Sequence, residues 1–424
     1  MRSQLTVWIL AAAVGGILAG YAANEIAPDA AAAAEVAAYF SLLADIFLRL
    51  IKMIIAPLVF ATVVAGIAGT GDAKTVGRIG VKALAWFITA SLVSLCLGML
   101  FANLFQPGGN LNMPLPDAGA STNLKTGGLS LKEFVVHMFP KSFFEAMATN
   151  EILQILVFSL FFGLALTGLG AHRAATIEKF VDELAHAMLK LTGYVMYFAP
   201  MGVFGAVAAA IATQGIGVLA TYGKFIGTFY VALVVLWAVL VGAGFAFLGP
   251  RVFKLLASLR EPMLIAFTTA SSEAAYPKVM DKLDRFGVEE RVTALTLPLG
   301  YSFNLDGSMI YQSFAALFIA QAYGIEMSFT QQVTLLLVMM VSSKGVAGVP
   351  RASLVVVAAV SPMFGLPEAG LLLIMGIDHF LDMGRTATNV IGNGIATAVV
   401  AKWEGALGPP RPDVAPEAAA AAAE

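Results

Sequence analysis

The chain has 424 residues, of which 59% are hydrophobic and only 12% are charged, and its mean hydropathy is +0.84. Soluble globular proteins carry about a quarter charged residues, so this composition excludes an ordinary soluble domain and indicates a polytopic membrane protein. The net charge of -2 offers no basic surface for nucleic acid, and the single cysteine, Cys96, excludes a disulfide framework or a cysteine metal site.

The N-terminal residues 1–28 combine a charged start with an apolar stretch, a pattern shared by signal peptides and first transmembrane helices. The apolar stretch is long, and no clear small-residue cleavage site follows it. We therefore predict a first transmembrane helix rather than a signal peptide.

At least six apolar spans are long enough to cross about 30 Å of hydrocarbon. They cover residues 5–27, 38–69, 79–105, 151–170, 190–213 and 219–249. Lys and Arg collect on alternate connections, starting with Arg2, so the positive-inside rule predicts a cytoplasmic N-terminus. The connection 106–150 contains several Pro and Gly residues and is predicted to be an external loop leading into a broken fourth helix.

Beyond residue 250, two segments share a weakly repeated pattern: TTASSEAAYP at 268–277 and MVSSKGVAGVP at 340–350. Non-helical backbone at membrane depth is tolerated only where it faces protein or a wet cavity, so we predict two helical hairpins that enter the membrane and turn back. Paired interrupted segments of this kind point to a transporter binding site. Loops between ordinary helices are the alternative, which the long apolar flanks disfavour.

A third interruption is GYSFNLDGSMIYQ at 300–312. Asn304, Asp306, Gly307 and Ser308 in the middle of a helical run favour local unwinding, which frees backbone carbonyls and side-chain oxygens for a cation. The same residue types are common in soluble turns, so this segment alone is a weak signal.

The segment DHFLDMGRTATNVIGNG at 378–394 carries Asp378, Asp382, Arg385, Asn389 and Asn393 at spacings of three or four residues, which places them on one helix face. An ionisable residue at mid-membrane costs at least about 2.5 kcal/mol on insertion scales, so this polar stripe indicates a binding site or pathway. Structural ion pairs such as Asp382 with Arg385 are the alternative, and they leave the other members unexplained.

Arg385 points to the chemistry of the ligand, because its planar guanidinium pairs bidentately with a carboxylate and stays protonated. Asp382, one turn away, supplies the opposite charge and suits an ammonium group. Free N–H groups at the Ser-rich hairpin ends could hold a second carboxylate. An acidic amino acid satisfies all three conditions, whereas a dicarboxylate leaves Asp382 facing an anion.

Four motifs, taken in chain order, resemble the signature elements of the glutamate/aspartate and C4-dicarboxylate:cation symporters, the family of the excitatory amino acid transporters. They are SSE with YP, GYSFNLDGS, SSKGVAGVP and DHFLDMGRTATNVIGN. The resemblance runs from RIGVKALAWF at 78–87 to VVAKWEG at 399–405 and is greatest to bacterial proton/glutamate-aspartate symporters. It implies an all-α, elevator-type homotrimer of the cell inner membrane, with eight transmembrane helices, two re-entrant hairpins and inverted repeats.

The resemblance also divides the single membrane domain, residues 1–424, into parts. A scaffold at about 1–70 and 130–215 would hold the trimer, and a transport part at about 76–108 and 217–404 would move. A disordered tail is expected at 408–424, where the sequence is rich in Pro and Ala.

By the same resemblance, Arg385 would bind the substrate side-chain carboxylate and Asp382 its amino group. The other implied substrate contacts are Thr386, Asn389, Ser308, Ser272, Gly348 and Val349, of which the last two belong to the second hairpin, the expected gate. Positions that ligate sodium in sodium-coupled members correspond to Asn304, Asp306, Asn389, Gly300 and Ser302.

The chain departs from sodium-coupled members at three further cation positions. They have a carboxylate where this chain has Asn393, and a tyrosine and a threonine where it has Phe87 and Ala90. Hard cations require oxygen-rich sites, so we predict coupling to protons, with sodium at Asn304, Asp306 and Asn389 as the alternative.

Proton coupling requires a buried group that can change its protonation. Asp306 is the first candidate because it lies in the unwound segment, and Asp378 and Glu273 are the others. His379 lies beside the polar stripe and is predicted to be structural or at the lipid edge. Glu273 and Lys344 occupy matching places in the two hairpins, so a salt bridge between the tips is an open alternative.

The predicted function is a secondary symporter that imports glutamate or aspartate with protons and needs no cofactor. Sodium coupling, C4-dicarboxylate transport and an anion channel lined by Arg385 remain alternatives. An enzyme is not predicted, because the serine pairs lack a convincing histidine and HExxH, GxSxG and Walker-type motifs are absent from the sequence. The expected partners are the small acidic substrate, membrane lipid and further copies of this chain.

Overall fold

A computed structural model describes residues 2–68, 73–109, 115–116, 135–215, 222–343 and 352–411. In these ranges the regular structure is helical, and the only strand-like pairing is one isolated antiparallel bridge between Val288 and Leu407. The prediction of an all-α protein is confirmed for this part of the chain.

The helices are α1 (Arg2–Ile26), α2 (Ala30–Ala68), α3 (Ala73–Phe105), α4 (Phe143–Thr149), α5 (Ile152–Leu169), α6 (Ala171–Val195), α7 (Ala199–Gln214), α8 (Gly223–Leu248), α9 (Arg251–Thr269), α10 (Ser272–Phe286), α11 (Glu290–Phe303), α12 (Asp306–Ala322), α13 (Phe329–Ser342), α14 (Ala352–Val360), α15 (Gly370–Met375) and α16 (Asp378–Trp403). Short 3₁₀ turns follow α6 and α14, at Met196–Phe198 and Ser361–Phe364.

Among the described residues, six segments are long and apolar enough to cross a membrane, and each overlaps one of the six predicted spans. They are Val7–Ile26, Ala30–Ala68, Lys74–Phe105, Ile152–Leu169, His172–Gln214 and Gly223–Leu248. The chain is therefore a membrane protein with several apolar helices.

The predicted span 190–213 lies within the candidate span His172–Gln214. Inside this span a 3₁₀ turn at Met196–Phe198 separates the end of α6 from α7. Pro200 follows this turn in the first turn of α7, where a missing N–H costs no helical hydrogen bond. The first half of α6 was not predicted as part of an apolar span, because it carries exposed charged residues such as Arg173 and Asp182.

The segment predicted to be the first hairpin forms two packed helices, α9 and α10, joined by Ala270 and Ser271. Ala270 adopts a left-handed conformation with φ 49°, which reverses the chain. The Ser271 hydroxyl then accepts the Ala274 N–H at 3.3 Å and caps α10. Farther from the tip, Glu261 of α9 pairs with Lys278 and Lys282 of α10 at 3.0 and 2.9 Å.

The segment predicted to be the second hairpin contributes α13 and α14, which pack against each other. The connection between them, with Lys344, Gly348 and Val349, lies outside the described residues. The expected gate at these positions therefore has no structural description.

The predicted interruption at 300–312 separates α11 from α12. Asn304 and Leu305 have non-helical backbone angles, with φ/ψ of -120°/63° and -101°/63°. Asp306 then begins α12, where a carboxylate is stabilised by the positive end of the helix dipole. The break directs the N-terminus of α12 toward α16.

The helices pack in two sets. In the first set, α1 and α2 contact α7, and α2 also contacts α5 and α6. In the second set, α8 to α12 surround α16, and α3 contacts α8, α11, α12 and α16. The sets meet where α2 contacts α10 and α11, where α7 contacts α9 and where α5 contacts α11. From Gly384 to Ala401 every residue of α16 is buried, so its polar stripe lies at the centre of the second set.

The prediction of a disordered tail from residue 408 is wrong for residues 408–411. The Gly408 N–H donates to Gly287 O and the Arg411 N–H to Arg285 O, both at 2.8 Å, and the Arg411 side chain pairs with Asp284. These bonds attach the segment after α16 to the connection between α10 and α11. Residues 412–424 lie outside the described ranges.

Candidate functional site

Arg385 is the centre of the polar stripe on α16. Its side chain is among the largest that are fully buried, with only 1% of the residue exposed. Such a cation is stable inside a protein only when it is paired. The neighbouring turns of α16 and the start of α12 supply its partners.

Two carboxylates and one ring surround the guanidinium of Arg385. Its Nη2 lies 2.9 Å from Asp382 Oδ1 and 3.2 Å from Asp378 Oδ1. Tyr311 of α12 places its ring under the guanidinium, with Cζ 4.0 Å from the ring centroid, a cation–π contact. The Tyr311 hydroxyl also donates to Asp378 Oδ1 at 3.0 Å. Asp378, Tyr311 and Arg385 thus form one buried network.

The remaining guanidinium nitrogen of Arg385, Nη1, has no hydrogen-bond partner in the described part of the chain and is buried. A buried N–H donor without a partner costs about 1–3 kcal/mol. A carboxylate that entered the site would relieve this cost. The predicted ion pair between Asp382 and Arg385 is present, and it leaves this donor unused.

The side chains around Arg385 line a cavity of about 490 Å³. The predicted site residues that line it are Ser272, Glu273, Ser302, Ser308, Asp378, Asp382, Arg385, Thr386 and Asn389. Thr386 holds its hydroxyl 3.3 Å from Asp382 Oδ1. The cavity therefore brings together the tip of the first hairpin, the α11–α12 break and the polar stripe of α16.

The other predicted cation positions form a buried cluster that does not line the cavity. Asn304 Nδ2 donates to Asn393 Oδ1 at 3.3 Å, and Asn304 Oδ1 is buried with no hydrogen-bond partner among the described residues. Asp306 is fully buried next to Gly392, whose added Cβ would lie 3.1 Å from Asp306 Cγ. These oxygens are the ligand type that a small hard cation prefers.

Gly300 lies against this cluster. An added Cβ there would lie 3.0 Å from Asn393 Cγ and 3.4 Å from Phe87 Cζ. The buried Phe87 ring and Asn393 thus both lie next to Gly300, and the Phe87 ring supplies no oxygen there. Within the described residues, no group of three or more His, Cys, Asp or Glu side chains is placed to hold a metal ion.

Asn389 connects the cavity to the α11–α12 break. Its Oδ1 accepts the Gly307 N–H at 2.9 Å, which satisfies one of the free donors at the start of α12. A Cβ at position 307 would lie only 2.7 Å from Arg385 Cα. Glycine is therefore required for this close approach of α12 to α16.

The far wall of the cavity contains two charged residues that the sequence analysis missed, Lys52 of α2 and Glu151 before α5. Lys52 Nζ lies 3.9 Å from Glu273 Oε2, so the described partner of Glu273 is Lys52. Burial raises the pKa of Glu151, and the opposing effect of His137 is smaller. The signal that could have revealed Lys52 is a lysine inside the second apolar span.

Tyr311 and His379 also differ from expectation. Tyr311 was not predicted to contribute, although it stands one turn after Ser308 in the interrupted segment. His379 was predicted to be structural or at the lipid edge, and it lines the cavity. Chemically, the cavity offers the buried guanidinium of Arg385, the ammonium of Lys52 and several carboxylates, a combination suited to holding a small dipolar anion.

Comparison with known proteins gives consistent matches along the chain. The profile of the sodium:dicarboxylate symporter family matches residues 5–403. The proton/sodium-glutamate symport protein of Bacillus caldotenax is 41% identical over 377 residues, which cover 88% of this chain and 89% of that protein. The corresponding protein of Bacillus subtilis is 38% identical over 376 residues, covering 88% and 87%. The C4-dicarboxylate transport protein of Solibacter usitatus is 42% identical over 412 residues, covering 96% and 94%.

Proposed function

The chain belongs to the sodium:dicarboxylate symporter family, and from this premise we propose that it is a secondary symporter that imports glutamate or aspartate with protons. The observation that carries the proposal concerns the buried Arg385, which lines a cavity with Asp382 beside it and whose Nη1 has no hydrogen-bond partner among the described residues. The resemblance recognised in the sequence is confirmed at the level of the family.

In this proposal the substrate side-chain carboxylate binds Nη1 of Arg385, and the substrate ammonium binds Asp382. Asp382 is suited to this role because its side chain is 32% exposed, whereas that of Arg385 is 2% exposed. Ser272 and Ser308 line the same cavity and would bind the second carboxylate. Thr386 and Asn389 would complete the polar wall, and Gly348 and Val349 would cover it.

Transport of C4-dicarboxylates is the second candidate, because a similar protein of Solibacter usitatus carries that name. A dicarboxylate lacks the ammonium that would pair with Asp382. Its second carboxylate would then meet the carboxylate of Asp382 in a buried site, which is unfavourable. We therefore favour an acidic amino acid.

We favour the proton as the coupling ion, because two residues at the buried cluster are poor sodium ligands. Asn393 supplies an oxygen but no charge, and Phe87 supplies neither. The similar Bacillus proteins are named for both proton and sodium, so sodium at Asn304, Asp306 and Asn389 is the alternative. Asp306, Asp378 and Glu273 are the carboxylates that could carry a proton.

We further propose a homotrimer in the cell inner membrane, with the N-terminus in the cytoplasm and an elevator movement. The grouping of α1, α2 and α5 to α7 in one packed set, and of the α16 neighbours in another, supports the division into scaffold and transport part. The cavity has walls from both sets, so a relative movement would change its access.

Uptake into proteoliposomes tests the proposed function. Radiolabelled aspartate uptake is measured with unlabelled glutamate, aspartate, succinate or malate as competitor, and with a proton or a sodium gradient imposed separately. The proposal requires stronger competition by the amino acids and accumulation against the substrate gradient. Saturable accumulation of succinate alone would favour the dicarboxylate candidate, and flux without accumulation would favour a channel.

A further inference from the structure

We propose that Asp378 takes up the proton that accompanies substrate, and that Arg385 couples the two events because its guanidinium is shared by Asp378 and the substrate carboxylate. This inference rests on the proposed function, and it assigns the proton to one of three candidate carboxylates. The preferred proton carrier is thus Asp378 rather than Asp306, which the sequence analysis favoured.

The shared partner is the first observation. Asp378 Oδ1 lies 3.2 Å from Arg385 Nη2, and the neighbouring Nη1 on the same guanidinium has no hydrogen-bond partner in the described chain. A substrate carboxylate on Nη1 therefore approaches Asp378 across a single planar group. Two sites that share one charged partner affect each other's affinity reciprocally.

The local charge is the second observation. Before substrate binds, ionised Asp378 and Asp382 with protonated Arg385 carry a net charge of -1. An acidic amino acid has two carboxylates and one ammonium, so it adds a further -1. Burial of unbalanced charge is unfavourable, and one proton on Asp378 returns the net charge to its starting value.

The surroundings of Asp378 favour it over its neighbours as the proton carrier. It is 2% exposed, and the Tyr311 hydroxyl of α12 donates to it. This bond remains possible after protonation, because the carboxylic acid retains acceptor oxygens. Asp382 is 32% exposed and is needed to bind the substrate ammonium.

The other titratable groups near this site have different partners or positions. On α8, the Tyr230 hydroxyl donates to Phe380 O at 2.6 Å. On α10, Glu273 pairs with Lys52 of α2. Asp306 of α12 does not line the cavity, whereas His379 of α16 does. Glu151, before α5, also lines the cavity. His379 and Glu151 are therefore the main competing carriers, and the experiment must separate both from Asp378.

Proton uptake on substrate binding tests the inference directly. Aspartate is added to the purified full-length protein in weakly buffered solution with a pH indicator, and bound aspartate is counted in parallel. The wild type should take up about one proton per aspartate, and its affinity should fall by up to about tenfold per pH unit as pH rises through the coupled range. Asp378→Asn should bind aspartate without proton uptake and without this pH dependence.

His379→Gln, Glu151→Gln and Asp306→Asn are the controls, and all three should retain proton uptake. Loss of uptake in any of them, with binding retained, would overturn the assignment to Asp378, as would unchanged uptake in Asp378→Asn. Binding without proton uptake in the wild type would overturn it as well. Absence of any aspartate binding by the wild type would instead refute the proposed function.

A spectroscopic measurement covers the case in which Asp378→Asn binds no substrate. The infrared difference spectrum of the wild type with and without aspartate should contain a new carboxylic-acid band, because a buried carboxylate becomes protonated. Asp378→Glu should shift this band. If Asp378→Glu also fails to bind substrate, the Asp306→Asn protein is used instead, with ¹³C in the side-chain carboxyls of its own Asp residues. A carboxylic-acid band that does not shift with this label would overturn the inference.

Discussion

Asp378 and Arg385 form a buried ion pair in which Asp378 Oδ1 lies 3.2 Å from Arg385 Nη2, with both side chains only 2% exposed. Because Asp382 holds the same nitrogen at 2.9 Å, the guanidinium is fixed from two sides. Its Nη1, which has no hydrogen-bond partner within the described ranges, is consequently held in a defined position. This arrangement supports the proposed role of Arg385 in substrate recognition.

Replacement of Arg385 by Ala or Cys should abolish uptake of acidic substrates and could favour neutral amino acids. The variant loses the only arginine in the polar stripe, and removal of one partner of a buried charge pair costs about 2–5 kcal/mol. Aspartate affinity should therefore fall by at least about 30-fold, as measured by calorimetry on purified protein. Arg385→Lys is the control, because it keeps the charge but loses the planar fork. Unchanged aspartate affinity in the Ala variant would exclude this role.

Replacement of Asp382 by Ser should reduce glutamate and aspartate binding more than succinate or malate binding. The substrate ammonium loses its partner and remains buried without compensation, at a cost of about 2–5 kcal/mol. Competition against labelled substrate measures all four affinities in the same preparation. Equal losses for the four compounds would mean that Asp382 is merely structural.

Replacement of Gly307 by Ala should weaken both stability and substrate binding. The new Cβ would lie 2.7 Å from Arg385 Cα, so α12 must move away from α16 and strain the Asn389 hydrogen bond. Overpacking of this kind costs about 1–3 kcal/mol. Thermal unfolding and aspartate affinity are the measurements. Gly242→Ala is the matched control, because no atom lies within 4 Å of its added Cβ, and equal behaviour of the two variants would contradict the prediction.

Glu404, just after α16, should stabilise the protein in a pH-dependent way. The hydrogen bond from Arg78, at 2.7 Å, lowers the pKa of Glu404 against the opposing effect of burial, and Lys82 at 2.6 Å adds to the lowering. A carboxyl group whose pKa is lower in the folded protein than in the unfolded chain stabilises the folded state at any pH above its unfolded pKa, here near 4.5. This stabilisation is lost as the pH falls through the pKa of the folded state.

Glu404→Gln should therefore lower the melting temperature at pH 7, and its difference from the wild type should shrink as the pH falls below about 4.5. Thermal unfolding across this pH range is the measurement. Glu25→Gln is a suitable control, since Glu25 is exposed near the end of α1. A difference for Glu404→Gln that stays constant with pH would show that its charge is not involved.

Local composition was sufficient for the apolar spans and for interruptions within 268–277 and 300–312. The structure then gives their positions, a turn at 270–271 and a break at 304–305. The stripe on α16 also followed from helical spacing alone. Tyr311 could not be assigned in the same way, since its contact with Arg385 depends on how α12 crosses α16. Lys52 was missed for a similar reason: its proximity to Glu273 arises only when the two helix sets pack together.

The pairing within the stripe also lay beyond sequence reasoning. Spacing placed Asp378 on the same face as Arg385, but it could not distinguish a direct ion pair from a more distant neighbour. The division of the polar residues into a cavity wall and a separate cluster around Asn304 likewise depends on tertiary packing. Composition predicts a disordered tail that includes residues 408–411, because their bonds to the α10–α11 connection are long-range and leave no local sequence signal.

Accumulation of aspartate in sodium-free proteoliposomes under an imposed pH gradient, acidic outside, tests the central claim most directly. The membrane potential is clamped with potassium and valinomycin, and protein-free liposomes and Arg385→Ala give the background. The account predicts that internal aspartate exceeds the external concentration while the pH gradient lasts, without sodium. No accumulation under the pH gradient, followed by accumulation once external sodium is added, would contradict it and establish sodium as the coupling ion.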